Sequence, residues 1–384
     1  MMKGMVVNMS ERHYFAGNNT AQGFFSYFNY IINLEEGNHY YILKGGPGVG
    51  KSSFMKKFAS KMVDKGYSIE YVHCSSDRES LDSIYIPELK IAFVDGTAPH
   101  TIDPKYPGAV DEIINLGYFF DSSKILEHKA KIVETNKEKS AVYKSAYRLL
   151  KAAGIIYDDI NSLYDKLTDN KTFDILCNKT KEELSAMYIN SFNQHKGWPI
   201  RKLFSEAYTA DGYVSFTHRL GAQSTQWVIL GENVNYSAKL LDELTKQSIN
   251  KGYFVEGFYN PLFPEKLQHI YIPDLKLMIK TLEINSDSKH ISRMECHQEE
   301  ANMINLKNAD KIIDIGSLMD ENALKSYEDE LNKKYTLYNS IIALVFDTLY
   351  ETKKLHARLE KIYSGSMDFN GVDQYFDTIL TKYN

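Results

Sequence analysis

Cysteine is nearly absent from the chain. The three present, Cys74, Cys177 and Cys296, lie far apart and form no C-x-x-C pair. That excludes a disulfide framework and a structural zinc site, and the isolated Cys296-His297 neighbours carry no metal-ligand spacing. Long apolar runs are missing too: no stretch approaches the roughly 18 to 20 residues that a membrane-spanning helix needs. The opening MMKGMVVNMSERHYF has too short an apolar run for a signal peptide, so the expectation is a cytoplasmic, reducing setting with no membrane span. There is no excess of positive charge. Lys+Arg 45 against Asp+Glu 50 gives a net charge of −5, which removes the long-range electrostatic case for a dedicated nucleic-acid binder. Arginine is scarce, only seven of the basic residues, so each one matters as a candidate phosphate clamp. What remains, 384 residues with 43% hydrophobic and 25% charged, is the balance of a globular protein of two or three domains.

One motif carries chemistry. The β-prone run His39–Lys44 leads into Gly45-Gly46-Pro47-Gly48-Val49-Gly50-Lys51-Ser52-Ser53, which matches G-x-x-x-x-G-K-[ST]. Helical periodicity follows and stops at Lys65-Gly66. Strand, glycine loop and helix are the context in which this pattern cradles phosphates. The glycines let successive N–H groups turn inward, and the helix adds its positive end. Lys51 is then expected at the β- and γ-phosphates and Ser52 on Mg²⁺. A second metal-shell carboxylate is expected at the end of a buried strand, and Leu89–Asp95 supplies Asp95. Position 96 is Gly, so the Glu that many motor-type ATPases carry there is absent. After a further strand, Ser68–His73, come His73, Asp77 and Arg78, and Thr97-Ala-Pro-His100 follows the acid. Groups just past strand carboxyl ends face the ligand crevice of a parallel sheet, so Asp77 and His100 join Lys51 and Asp95 as catalytic candidates. A capped loop leading into a short helix is an equally good reading of residues 74–82.

The second half repeats the first. Ile84-Tyr-Ile-Pro-Glu-Leu-Lys90 returns as Ile270-Tyr-Ile-Pro-Asp-Leu-Lys276, and Arg12-x-x-Phe15 as Arg201-x-x-Phe204. Downstream, Asp111-x-Ile-Ile-x-x-Gly117 returns as Asp310-x-Ile-Ile-x-x-Gly316. Three blocks in one order imply a tandem duplication. The copies are chemically unequal: Glu232, Val234 and Tyr236 stand at the places of Gly46, Gly48 and Gly50, Ser237 and Ala238 at those of Lys51 and Ser52, and Thr281 at that of Asp95. The second copy is therefore expected to keep the fold and lose the chemistry. The expected division is 1–199 and 200–384. Each copy has a core, about 1–120 and 200–320, and a helical-hairpin extension, about 121–199 and 321–384, with Asp121 and Asp320 at N-cap positions and a break at Gly154.

The chain resembles the P-loop NTPase superfamily. More closely it resembles an uncharacterised bacterial family of internally duplicated ATP-binding proteins, through Arg12–Thr20, Gly45–Ser52, His73–Asp77 and Asp95–His100. The resemblance implies an α/β fold of two tandem P-loop NTPase-like domains, mainly parallel sheet flanked by helices, paired as an intramolecular pseudo-dimer. It implies ATP and Mg²⁺ and names no substrate; the lack of a guanine-reading N-K-x-D favours ATP over GTP. The leading expectation is Mg²⁺-dependent hydrolysis or phosphoryl transfer at the first copy, with Arg78, Arg12, Arg201 or Arg219 as the further cation. The alternatives are an ATP-controlled switch or scaffold, whose helical extensions meet a protein partner, and a small-molecule or nucleotide kinase. A nucleic-acid motor ranks third.

Overall fold

The computed structural model describes residues 11–188, 197–282 and 306–383; Cys296 and His297 lie outside them. The first repeat runs β1 (Glu11–Phe15), β2 (Gly17–Thr20), β3 (Gly23–Ser26), β4 (His39–Lys44), α1 (Lys51–Asp64), β5 (Ile69–His73), β6 (Leu81–Ile86), β7 (Ile91–Asp95) and β8 (Asp111–Asn115). It continues into α2 (Ser122–Glu127), α3 (Lys129–Leu167) and α4 (Asn170–Met187). The second repeat gives β9 (Ile200–Leu203), β10 (Glu206–Thr209), β11 (Gly212–Ser215), β12 (Thr225–Leu230), α5 (Val234–Asn250), β13 (Val255–Tyr259), β14 (Leu267–Ile272), β15 (Leu277–Leu282) and β16 (Lys311–Asp314). It ends in α6 (Glu321–Ser326), α7 (Glu328–Ser364) and α8 (Phe369–Leu380). No helix among the described residues is long and apolar enough to cross a membrane.

Two six-stranded sheets result, ordered β1-β5-β6-β7-β4-β8 and β9-β13-β14-β15-β12-β16. The orders correspond strand for strand, so the duplication read from short sequence blocks extends to topology. The Asp95 strand β7 lies directly beside β4, in parallel. The sheets are mostly parallel, with β6 and β14 antiparallel to both neighbours. Residues 81–86 are thus a strand, and the reading of a loop leading into a short helix does not hold. The cause is the turn that follows. Lys90 and Lys276 adopt φ of 53° and 45°, and their N–H groups bond Pro87 O and Pro273 O at 3.2 and 2.9 Å. The best-repeated sequence block therefore encodes a hairpin, with proline entering the turn.

Local chemistry accounts for the rest. α1 buries Phe54, Met55, Phe58, Ala59 and Met62 on one face and ends in a Schellman arrangement, with Gly66 at φ 88° and the Tyr67 N–H on Met62 O at 3.1 Å. Asp121 and Asp320 do cap α2 and α6. α3 is unbroken at Gly154, where a Cβ would stand 2.9 Å from that of Ala21: the glycine admits a neighbouring chain and does not end the helix.

The chain divides into two compact units that are not its two halves. The first holds 11–17, 26–145 and 348–383; the second holds 18–25 and the described part of 146–347. The boundary expected at 199/200, and with it the assignment of each extension to its own repeat, is replaced by an exchange. The apolar face of α8, Val372, Phe376 and Ile379, joins the first unit's core with Phe54 and Phe58, and the Phe54 and Phe376 rings meet edge-on at 5.0 Å. In the second unit, Phe173 of α4 meets Tyr236 of α5 at 4.7 Å.

Candidate functional site

In the first unit, β4 delivers the chain into a loop whose Gly45, Gly48 and Gly50 take φ of 147°, 74° and 92°, values that glycine alone adopts without strain. Lys51 opens α1 and is 9% exposed. Its Nζ turns back into the loop, donating to the carbonyls of Gly45 and Gly46 at 2.9 Å each, and lies 3.5 Å from Asp95 Oδ2. Asp95 Oδ1 accepts the Thr97 N–H at 2.9 Å. Ser52 Oγ accepts the Leu81 N–H at 3.0 Å. A Cβ at Gly96 would fall 2.4 Å from Ile42 Cγ2 of β4. Because β7 packs directly against β4, no glutamate fits after this acid.

His100 reaches the same place. Its ring stacks on Phe28 at 4.5 Å, and Nε2 lies 3.6 Å from Asp82 Oδ1. Burial alone would lower its pKa, but Asp82 and then Asp95 outweigh it and the net direction is upward. Asp82 is only 3% exposed, and its Oδ2 has no hydrogen-bond partner among the described residues. Sequence reasoning missed Asp82; the one available signal was Gln268 at its place in the second repeat. Asp77 stands further out, accepting the Ser80 hydroxyl at 2.8 Å and pairing with Lys353 at 3.2 Å. Burial opposes its ionisation, yet Ser80 and Lys353 hold its carboxyl below the usual range. His73 is absorbed in packing, with Nδ1 on Arg78 O at 2.8 Å and Nε2 facing His13 Nδ1 at 2.9 Å.

The four arginines singled out as phosphate clamps have other partners. Arg12 pairs with Glu70 at 2.9 Å across β1 and β5. Its counterpart Arg201 pairs with Glu256 at 3.2 Å, buried across β9 and β13. Arg78 pairs with Glu79, and Arg219 Nε faces His218 at 3.1 Å. The repeated arginines thus tie edge strands together in both sheets. The extra positive charge near the loop belongs to lysines: half-buried Lys139 of α3, whose pKa is lowered by burial and by Lys51, and Lys353 of α7.

The last turn of α7 covers the loop. A Cβ on Gly46 would touch the Tyr363 ring at 3.0 Å, and one on Gly48 would strike the Glu360 carbonyl at 2.7 Å. Loop and cover lie some 300 residues apart in sequence, and no local pattern announces their meeting.

The second unit is closed by its own side chains. Asn161 Oδ1 of α3 accepts the Val234 N–H at 3.1 Å, and Asn233 caps α5 through the N–H groups of Asn235 and Tyr236. Asp165 accepts from both Asn233 and Asn235, while Tyr164 donates to Glu232. The amide oxygens of Asn161 and Asn233 thus take the N–H groups of Val234, Asn235 and Tyr236, the counterparts of Gly48, Val49 and Gly50.

Compared with family models, curated proteins and solved structures, the chain matches none of them. Its chemistry is read from its own geometry. No cluster of three or more His, Cys, Asp or Glu suited to a metal occurs among the described residues. The hard oxygens of Ser52 and Asp95 fit Mg²⁺, an ion that typically combines one or two protein oxygens with substrate phosphates and water.

Proposed function

We propose that the first unit binds Mg²⁺-ATP at Gly45–Ser53 and transfers the γ-phosphoryl group to water or to a small acceptor. The observation that carries this reading is one constellation: three left-handed glycines at a helix start, Lys51 folded into their loop, and Asp95 3.5 Å from it. Inward N–H groups and a helix N-terminus favour phosphate, and Lys51 is then free to exchange two loop carbonyls for phosphate oxygens. Ser52 and Asp95 would hold Mg²⁺, which when bound neutralises developing phosphate charge. The acceptor oxygen attacks the γ-phosphorus, the bridge to ADP breaks, and the acceptor proton passes to a carboxylate. Asp82, buried beside His100 with an oxygen to spare, suits that role better than Asp77, which Ser80 and Lys353 already engage. His100 adds positive charge on the same side.

The second unit carries no such activity in this reading, because its loop N–H groups are already occupied and Ser237 replaces the lysine. Lys51→Ala should abolish Mg²⁺-ATP binding measured by calorimetry, and ADP formation with it, while Ser237→Ala should change neither. Equal loss in both variants would sink the assignment. A panel of metabolites and nucleotides then separates transfer from hydrolysis, since one compound raising ADP formation identifies the acceptor.

A specific observation favours a second reading, a nucleotide-controlled switch. With Glu360 and Tyr363 against the loop glycines, phosphate entry would displace the last turn of α7, a lever for a partner-binding change. Very slow turnover together with a nucleotide-dependent loss of hydrogen-exchange protection in residues 355–364 would support it.

A further inference from the structure

Beside the glycine loop lies a cleft of about 390 Å³ between residues 118–121, with Lys124, and residues 366–368. Backbone hydrogen bonds join its two sides: Asp121 N–H to Ser366 O at 2.8 Å and Asp368 N–H to Phe119 O at 2.9 Å. One side follows β8, which flanks β4 opposite β7. Both sides reach the loop. The Phe120 ring meets Tyr363 at 5.5 Å, Tyr363 lies over Gly46, and Phe369 is 3.6 Å from the position of a Gly50 Cβ. Phe119 and Phe120 line the cleft half-buried, Tyr118 in its wall is 83% exposed, and Phe369, next in sequence to the lining Asp368, is 44% exposed.

The second repeat supplies an internal control. It builds the same joint, with Asp169 N–H on Leu318 O and Asp320 N–H on Leu167 O, both at 3.2 Å. The acids there are N-caps again, so the carboxylates belong to the architecture. The rings do not: Ser317, Leu318 and Met319 stand for Tyr118, Phe119 and Phe120, and Asn170 stands for Phe369. Of the two joints, the one beside the glycine loop carries the exposed aromatics. Larger concavities along α3, of about 700 and 550 Å³, are each lined by that helix alone and touch no group of the loop.

We propose that this cleft is the nucleobase site, in which Tyr118 and Phe369 stack a purine ring whose phosphates lie in the glycine loop. The proposal rests on the nucleotide reading above. Stacking suits the residues because each ring offers a broad face, and it ties affinity to ring area.

The test compares Mg²⁺-ATP with Mg²⁺-tripolyphosphate, which has no base, by calorimetry on the full chain. Tyr118→Ala and Phe369→Ala change exposed positions and leave the fold intact. Each should weaken ATP roughly tenfold or more while leaving tripolyphosphate affinity unchanged, and CTP should bind more weakly than ATP to the wild type. Unchanged ATP affinity in both variants overturns the base site, and so does equal weakening of ATP and tripolyphosphate. If wild-type protein binds neither ligand, or Lys51→Ala weakens neither, the nucleotide reading itself falls and takes the base site with it.

Discussion

Gly96 and Ile42 show how one residue's neighbour sets a limit on chemistry: a Cβ 2.4 Å from a methyl group removes glutamate as an option whatever the reaction needs. The second unit offers a counterpart in its buried bases. Burial lowers the pKa of His269 to about 4 and that of Lys280, 5% exposed, to about 8. His269 is neutral in the fold, its Nδ1 accepting the Thr281 N–H at 3.1 Å. In the unfolded chain it takes up a proton below about pH 6.5. Its contribution to stability is therefore complete above that pH and lost as pH falls toward 4, about 3 kcal/mol over the window. Urea unfolding of the wild type followed between pH 7 and 4 should show that slope, and His269→Gln should flatten it. An unchanged slope would mean that other groups carry the acid sensitivity. At this scale the glycine loop and Asp95 were legible, because backbone geometry dictates residue type at fixed spacing. Asp82 was not, since a lone acid in an unrecognised strand looks like any loop aspartate. The repetition of Arg12 as Arg201 has a structural counterpart of its own, an ion pair from each edge strand to its neighbour.

At the scale of elements, periodicity and caps placed α1, α2 and α6, and the apolar runs placed β4 and β7. They said nothing of strand order or direction, because a buried strand reads alike whichever way its neighbours run. β6 is the case in point, antiparallel owing to a proline-led turn whose strong repetition carried no visible structural meaning. α8 illustrates the other gap. Its face of Val372, Phe376 and Ile379 is plain in the sequence, but the core that receives it lies in the other repeat. Phe376→Ala should cost about 3 to 5 kcal/mol of stability, read as a lower urea midpoint for the first unit. It should also weaken nucleotide binding, since α8 begins at the loop's flank. Full stability in that variant would show that α8 contributes little to the core.

For the whole molecule, the exchange of extensions changes what a domain means here. Residues 1–199 produced alone would lack Phe376 and Tyr363, and 200–384 would lack Phe173 and Asn161. Each fragment should remain poorly folded by circular dichroism and size-exclusion chromatography, and mixing or co-expression should restore a folded 1:1 complex. Independent folding of either fragment would contradict the exchanged units. The same arrangement has a consequence in time. Lys57 pairs with Asp373 and Tyr41 with Tyr383, contacts spanning 316 and 342 positions, and such distant closures are slow. On the ribosome, the glycine loop is translated early yet stays without its cover until residues 348–383 emerge. Nucleotide offered to the nascent chain would meet an unfinished site, and the second repeat's synthesis becomes the step that licenses the first.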